Sequence, residues 1–374
     1  MNNIIADENM PALALFQKYG RVTTKAGRHL TRADLGDADT LLVRSITQVN
    51  EALLAGSKVR FVGSATIGTD HVDREWLKNQ GIQFAHAPGC NAIAVAEYVL
   101  QAVLSWLVEN NRAPENTTLA VVGVGNVGSK VAEYCAALGL TVLQVDPFLA
   151  VEHPERTWHS LSEALSADII TLHVPLTKTG LHPTYHLLNE ENIGQLTPQQ
   201  LLINSSRGPV IDNAALTDAL THGRGPITVL DVWEHEPQVA PALFALVKRG
   251  TPHIAGYSVE GKWRGTWMLF QAWQQWRGDT STQTAMPQLA PERVWTKPVQ
   301  QLEDVLELLR SQYRIEDDHE QLQKSLSQIN PAQAFDRLRR EYGQRYEMSG
   351  ITCKAKVDAR WMPLLTQLGV LLDD

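Results

Sequence analysis

Three side chains of this sequence could together move a proton at a carbon centre: Arg207, Glu236 and His253. Imidazole is the side chain best suited to take a hydroxyl proton near neutral pH. A carboxylate at its second ring nitrogen would fix the tautomer and stabilise the imidazolium. A guanidinium offers a planar pair of donors to a carboxylate, and can polarise a forming carbonyl. Arg207 and Glu236 each follow an apolar strand-like run, and ligands of open α/β sheets bind beyond the carboxyl ends of strands. Taken singly, each has an ordinary reading: Glu236 before Pro237 as a solvated turn, His253 as a satisfied core histidine.

The run Gly123-Val124-Gly125-Asn126-Val127-Gly128 supplies the second half of the chemistry. It follows the apolar Leu119–Val122 and opens a helical pattern reaching Leu138, with Gly139 as its stop. That strand–turn–helix setting is what the dinucleotide fingerprint requires. Gly123 permits the turn, Gly125 lets the backbone approach a pyrophosphate, and Gly128 lets helix and strand pack closely. The next strand, Thr141–Val145, ends in Asp146. A carboxylate there accepts from a ribose diol and repels a 2′-phosphate, so NAD is expected rather than NADP.

Elements must hold these groups. Short apolar strands at Ile4–Ala6, Thr40–Arg44 and Val59–Gly63 alternate with helical stretches at Pro11–Tyr19 and Asn50–Leu54, a doubly wound α/β pattern. A long apolar helix runs from Ala92 to Val108, and a second α/β unit follows with strands at Ile169–Leu172, Leu201–Asn204 and Thr228–Leu230. The Trp263, Trp267, Trp273 and Trp276 helix after Gly261 is expected to pack against another domain. The expected organisation is 1–92, completed by 258–278, for substrate; 93–257 for NAD; a linker at 279–298; and a small α+β domain at 299–374.

Composition narrows the class. The chain has 374 residues and a net charge of −8, which argues against general nucleic-acid or anionic-membrane binding. Cys90, Cys135 and Cys353 form neither a metal pattern nor a disulfide framework, so no metal is expected. No apolar run approaches ~20 residues, the length of a membrane span. The N-terminus lacks the basic and apolar regions of a signal peptide, and a cytoplasmic location is expected.

The order Arg207, Glu236, His253, the Arg-Gly-x-x-x-Asp string ending at Asp212, and His-x-Pro at His173–Pro175 resemble the D-isomer-specific 2-hydroxyacid dehydrogenases. Further strings, including Asp7–Pro11, Gly68–Asp73, Leu230–Glu234 and Phe335–Arg339, extend a closer resemblance along nearly the whole chain to members with an extra C-terminal domain. The resemblance implies two Rossmann-like domains with a cleft between them, and a C-terminal domain that forms a homodimer. It implies a phosphorylated 2-hydroxy acid as substrate. For the cofactor it implies contacts from Asn126, Val127, Val174, Pro175, Ser206, Asp231 at the nicotinamide carboxamide, and Gly256; for the substrate, Ser45, Thr66 and Tyr257. Val174 departs from the pattern's threonine, and Ser205-Ser206 from its Ala-Cys. Arg44 is the best cation for a phosphate, with Lys262 and Arg264 as further candidates. Arg345 reads either as a solvated helix charge or as an arm to a neighbouring subunit's site. Two other readings stay open: a different 2-hydroxyacid dehydrogenase, or an NAD(H)-sensing binding protein on the same fold.

Overall fold

The computed structural model describes residues 2–279 and 286–373. The chain divides into two compact units, 1–91 with 258–289, and 92–257 with 290–374.

The first unit is built on a parallel sheet of five strands: β1 (Asn2–Asp7), β2 (Gly20–Lys25), β3 (Thr40–Val43), β4 (Phe61–Ser64) and β5 (Gln83–His86), in the order β2-β1-β3-β4-β5. The inner strands β3 and β4 are mostly apolar and buried along their whole length, as a sheet covered on both faces demands. One covering layer is the helix Val259–Trp276. Trp273 buries completely among Phe16, Tyr19 and Phe270, and its Nε1 donates to Thr40 Oγ1 at 3.1 Å. Trp276 lies 5.3 Å from Phe61. The indoles Trp273 and Trp276 thus pack on the sheet of their own unit, not on another domain, because the helix returns to complete the unit that the first 91 residues begin.

The second unit carries a parallel sheet of six: β6 (Thr118–Val122), β7 (Thr141–Val145), β8 (Ile169–Leu172), β9 (Leu201–Asn204), β10 (Ile227–Leu230) and β11 (Arg249–Gly250), in the order β11-β10-β9-β8-β6-β7. The order reverses between β6 and β8, the position at which doubly wound sheets open a ligand crevice. The C-terminal segment adds a small parallel sheet, β12 (Arg293–Trp295), β13 (Ile351–Cys353) and β14 (Leu371–Leu372), with β13 in the middle. Residues 293–295, expected in the linker, therefore belong to this sheet; linker residues 280–285 lie outside the described residues.

Helix Ala92–Glu109 is long and apolar enough to cross a membrane by length and composition, but 78% of it is buried inside the protein. Its polar residues show which surroundings it is built for. Glu97 accepts from the Met348 N–H at 2.7 Å, and Gln101 from the Ile315 N–H at 2.8 Å. The helix shares one apolar core with the six-stranded sheet and the C-terminal segment. All three cysteines are free and buried, and burial pushes the Cys135 thiol up to about 12.

Candidate active site

At the sheet's switch point, Gly123 takes φ +88°, and a Cβ there would stand 2.8 Å from the His173 carbonyl carbon, at the end of β8. Gly128 lies so close to Gly123 that a Cβ would fall 1.9 Å from its carbonyl oxygen. Gly125 differs from both: nothing among the described residues lies within 4 Å of where its Cβ would be. It is the N-cap of helix Asn126–Leu138 and brings no side-chain cap, so the first N–H groups of that 13-residue helix are left for a ligand. This open, donor-rich cradle fits a pyrophosphate. Asp146 stands behind it. One of its oxygens accepts from Val124 N at 3.0 Å, and the other from Phe148 N and Leu149 N. The oxygen that accepts from Val124 keeps a further lone pair for a ribose diol. Burial holds His173 neutral, with its pKa lowered to about 3, and Thr171 Oγ1 lies 2.9 Å from its Nε2. Val174 is half-buried in the core below, and the Pro175 carbonyl accepts from Thr184.

Three loops bring the catalytic candidates to this face. Nδ1 of His253 lies 2.8 Å from Oε2 of Glu236, and Oε1 of Glu236 accepts from Trp233 N at 2.8 Å. Burial alone would raise the Glu236 pKa. The charge and hydrogen bond of His253, the charge of Arg339 and the Trp233 N–H outweigh it and hold the carboxyl below its usual range. His253 sits at φ +56°, a sparsely populated conformation costing on the order of 1 kcal/mol. Asp231, 1% exposed, holds it there. Its carbonyl accepts from His253 N, its Oδ1 from Ile254 N and Thr251 Oγ1, and its Oδ2 from Ala255 N. The residue singled out for the nicotinamide carboxamide is thus also the organiser of the histidine loop.

Arg207 stands on the loop after β9, where its Nη1 donates to the Ser206 carbonyl. Sequence reading missed what shapes this loop: Asn204, 1% exposed at the end of β9. Its Oδ1 accepts from Ser206 N and Oγ, and its Nδ2 donates to the Arg207 carbonyl at 2.9 Å. A polar residue closing an otherwise apolar strand was the available signal. A cross-brace, also missed, ties this loop to the one bearing Glu236. Glu234 accepts from Asn213 N, Asn213 Oδ1 accepts from Glu234 N, and His186 Nε2 lies 2.7 Å from Glu234 Oε1. His186 also lies 3.5 Å from Asp212, so these three form a set of the kind that can hold a metal, here engaged in bracing the loops.

Of the substrate candidates, Tyr257 belongs to this second unit, where its ring meets Tyr342 edge-on at 5.6 Å and Gly256 precedes it. Arg44, Ser45 and Thr66 belong to the first unit. There Thr66 Oγ1 donates to Gly68 O and lies 2.7 Å from Ser64 Oγ, which in turn lies 2.8 Å from His71 Nε2. Arg264 donates to the Cys90 carbonyl, a structural use of a phosphate candidate. Arg345 is corrected more sharply. It lies off any helix, 3% exposed, donating to Ala255 O at 3.0 Å and Ala94 O at 2.7 Å and stacked 3.9 Å over Tyr313. It is an internal strut of its own chain, neither solvated nor available to a neighbour.

Known proteins bear on this site. Residues 102–255 match the family described as D-isomer specific 2-hydroxyacid dehydrogenase, NAD binding domain, and residues 286–369 match a domain of unknown function (DUF3410). The structure of D-lactate dehydrogenase from Aquifex aeolicus, complexed with NAD and lactic acid, superposes with a TM-score of 0.63 at 26% identity, over 74% of this chain and 96% of that one. NAD-bound 3-phosphoglycerate dehydrogenase of Entamoeba histolytica gives 0.64 at 23% identity, over 77% of this chain and 99% of its own, a likeness of fold. Fold and site define an NAD-dependent dehydrogenase, and the chain belongs to the D-isomer specific 2-hydroxyacid dehydrogenases. Its curated relatives narrow this. It is 46% identical to erythronate-4-phosphate dehydrogenase of Marinobacter nauticus, over 94% of each chain. It is 44% identical to the enzyme of that name from Edwardsiella ictaluri, over 98% of each.

Proposed function

We propose that this protein oxidises C2 of 4-phospho-D-erythronate to the 2-oxo acid, as a step toward pyridoxal 5′-phosphate. The observation that carries the chemistry is the 2.8 Å contact between His253 Nδ1 and Glu236. A carboxylate accepting at Nδ1 leaves the Nε2 lone pair free to receive the 2-hydroxyl proton. Glu236, held ionised, steadies the imidazolium that results. Arg207 grips the α-carboxylate with its planar fork and polarises the forming carbonyl. Gly123, Gly125, Asn126, Val127, Gly128, Asp146, Val174, Pro175, Ser206, Asp231 and Gly256 hold NAD, which when bound supplies the hydride acceptor. Arg44, Ser45, Thr66 and Tyr257 bind substrate. The enzyme works as a cytoplasmic homodimer joined through its C-terminal segment, a state that light scattering of the purified protein tests directly.

The functional test follows NADH formed from added NAD with 4-phospho-D-erythronate, unphosphorylated erythronate and 3-phosphoglycerate in turn. Strong preference for the first, abolished in His253→Ala, supports the assignment. Preference for another acid discards the substrate and keeps the dehydrogenase. NADH binding without turnover of any of them discards the reaction.

A further inference from the structure

The oxidation proposed above leaves an electrostatic question open in the second unit. Its substrate carries an anion at each end, and Arg207 accounts for one. The C-terminal segment brings a second guanidinium to the same loops. Helix Pro331–Arg340 is anchored by Ala334 and Phe335, 2% and 0% exposed, and by Leu338 against the sheet's lower core. Phe335 and Arg339 stand four residues apart and so share one helix face. Burying Phe335 therefore carries Arg339 inward, while Arg337 and Arg340 on the other faces stay exposed.

Arg339 arrives at the residues of the site. Its guanidinium carbon lies 5.9 Å from the centre of the Tyr257 ring and 6.0 Å from that of Phe335. It is hydrogen-bonded to Tyr257, and its charge is felt by Glu236. Burial works against that charge, but Tyr257 and Glu236 more than offset it and keep the guanidinium firmly protonated. Its Nε–H is buried and has no acceptor among the described residues. A buried donor left unmet is costly, and a bound oxyanion would meet it. The internal strut Arg345 also has an unmet buried Nε–H, but both its terminal nitrogens are spent on carbonyls of the chain.

We propose that Arg339, with Tyr257, is the specificity-determining cation that receives the phosphate of the substrate, so that the C-terminal segment contributes directly to the active site. This rests on the phosphorylated-acid reading above. Guanidinium and phosphate pair through two parallel N–H···O bonds, which makes the contact demanding in geometry as well as charge. Lysine keeps the charge and loses the fork.

The test compares the intact enzyme with Arg339→Gln and Arg339→Lys, measuring kcat/KM for 4-phospho-D-erythronate and for unphosphorylated erythronate, and inhibition by inorganic phosphate. The wild type comes first: if it shows no preference for the phosphorylated acid, the substrate reading itself fails, whatever the variants do. Given that preference, Arg339→Gln is expected to collapse the ratio of the two kcat/KM values about 100-fold, mainly through KM, and to abolish phosphate inhibition; Arg339→Lys is expected to recover part of both. An equal loss on both substrates with an altered acid limb of the pH profile overturns the proposal, because Arg339 then acts only on Glu236. An unchanged ratio in a folded variant overturns it as well. Circular dichroism and NAD affinity separate misfolding from either outcome.

Discussion

Oε2 of Glu236 and Nδ1 of His253 are 2.8 Å apart, and the other oxygen of the same carboxylate is pinned by the Trp233 N–H. A carboxylate held at both oxygens cannot rotate, so the imidazole it faces is fixed in plane and in tautomer. Glu236→Gln keeps the shape and loses that control, since an amide can present its NH2 to the ring. The expected loss in kcat is at least ~10²-fold, within the range of general acid–base contributions. NAD affinity should be nearly unchanged, because neither atom belongs to the dinucleotide cradle. Steady-state kinetics with parallel cofactor titration checks both. A loss confined to KM would refute the assignment.

What could be read from the chain alone divides along physical lines. The interior strands β3, β4, β6, β8, β9 and β10 are buried on both faces and announce themselves as apolar runs. The strands that escaped notice, β2, β5, β11, β12 and β14, all lie at sheet edges; Gly20–Lys25 and Gln83–His86, for example, are largely polar and half-exposed and exist as strands only through their pairing. The site divides in the same way. Arg207, Glu236, His253 and the glycine run carry their chemistry in residue type and order. Asn204, Asn213, Glu234 and Arg339 do not, because each acts on a partner that only the fold brings near. Asp231 was visible as a functional residue, but its hold on the histidine loop depends on three backbone N–H groups of residues 253–255 that no spacing rule predicts.

Asn204 offers a direct measure of that hidden layer. Replacing it with alanine strands the Ser206 N–H and the Arg207 carbonyl in a buried setting, at about 1–3 kcal/mol for each group left unmet. It also frees the backbone that aims Arg207. Asn204→Ala should lower the urea midpoint and reduce kcat/KM for the 2-hydroxy acid by ~10-fold or more. Asn204→Asp, which keeps the acceptor for Ser206 but cannot donate to the Arg207 carbonyl, should fall between the two. Wild-type turnover in a destabilised alanine variant would separate folding from positioning and remove Asn204 from the mechanism.

Asp318 makes stability depend on pH in an unusual direction. It is 5% exposed, and burial raises its pKa to about 6, against a lowering contribution from the Tyr342 hydroxyl, which donates to it at 2.8 Å. The unfolded chain's aspartate titrates near 3.9. Between about pH 4 and 6 the folded state therefore holds more protons than the unfolded one. Its stabilising contribution is complete below pH ~4 and is lost as pH rises through 6. The span is up to about 3 kcal/mol. Asp318→Asn keeps an acceptor for Tyr342 and should flatten this decline, gaining stability at pH 8 relative to pH 4.5. Urea denaturation across that range decides it, and equal pH slopes in variant and wild type would count against the assignment.

Two glycines give the sharpest separation of scaffold from cofactor site, because the same substitution should do opposite things. At Gly208 a methyl group would lie 2.0 Å from both the carbonyl carbon and oxygen of Trp233. No side chain there can yield, since the obstacle is backbone, and the loop bearing Arg207 must move away from the loop bearing Glu236. Gly208→Ala should cost about 3 kcal/mol or more, the upper range for forced overpacking, and inactivate the enzyme through its fold. At Gly125 the backbone has φ −73°, which any residue adopts, and no atom of the described residues stands within 4 Å of the added carbon. Gly125→Ala should leave the melting temperature of the ligand-free protein within about 2 °C of wild type, a change worth less than 1 kcal/mol. It should nevertheless weaken NAD binding at least ~10-fold, because the methyl group occupies the space where the pyrophosphate must approach the helix N-terminus. Thermal unfolding with and without NAD reads both quantities in one experiment, since bound cofactor raises the melting temperature by an amount that grows with the logarithm of its affinity. If Gly125→Ala is stabilised by NAD as much as the wild type is, the dinucleotide does not lie over Gly125.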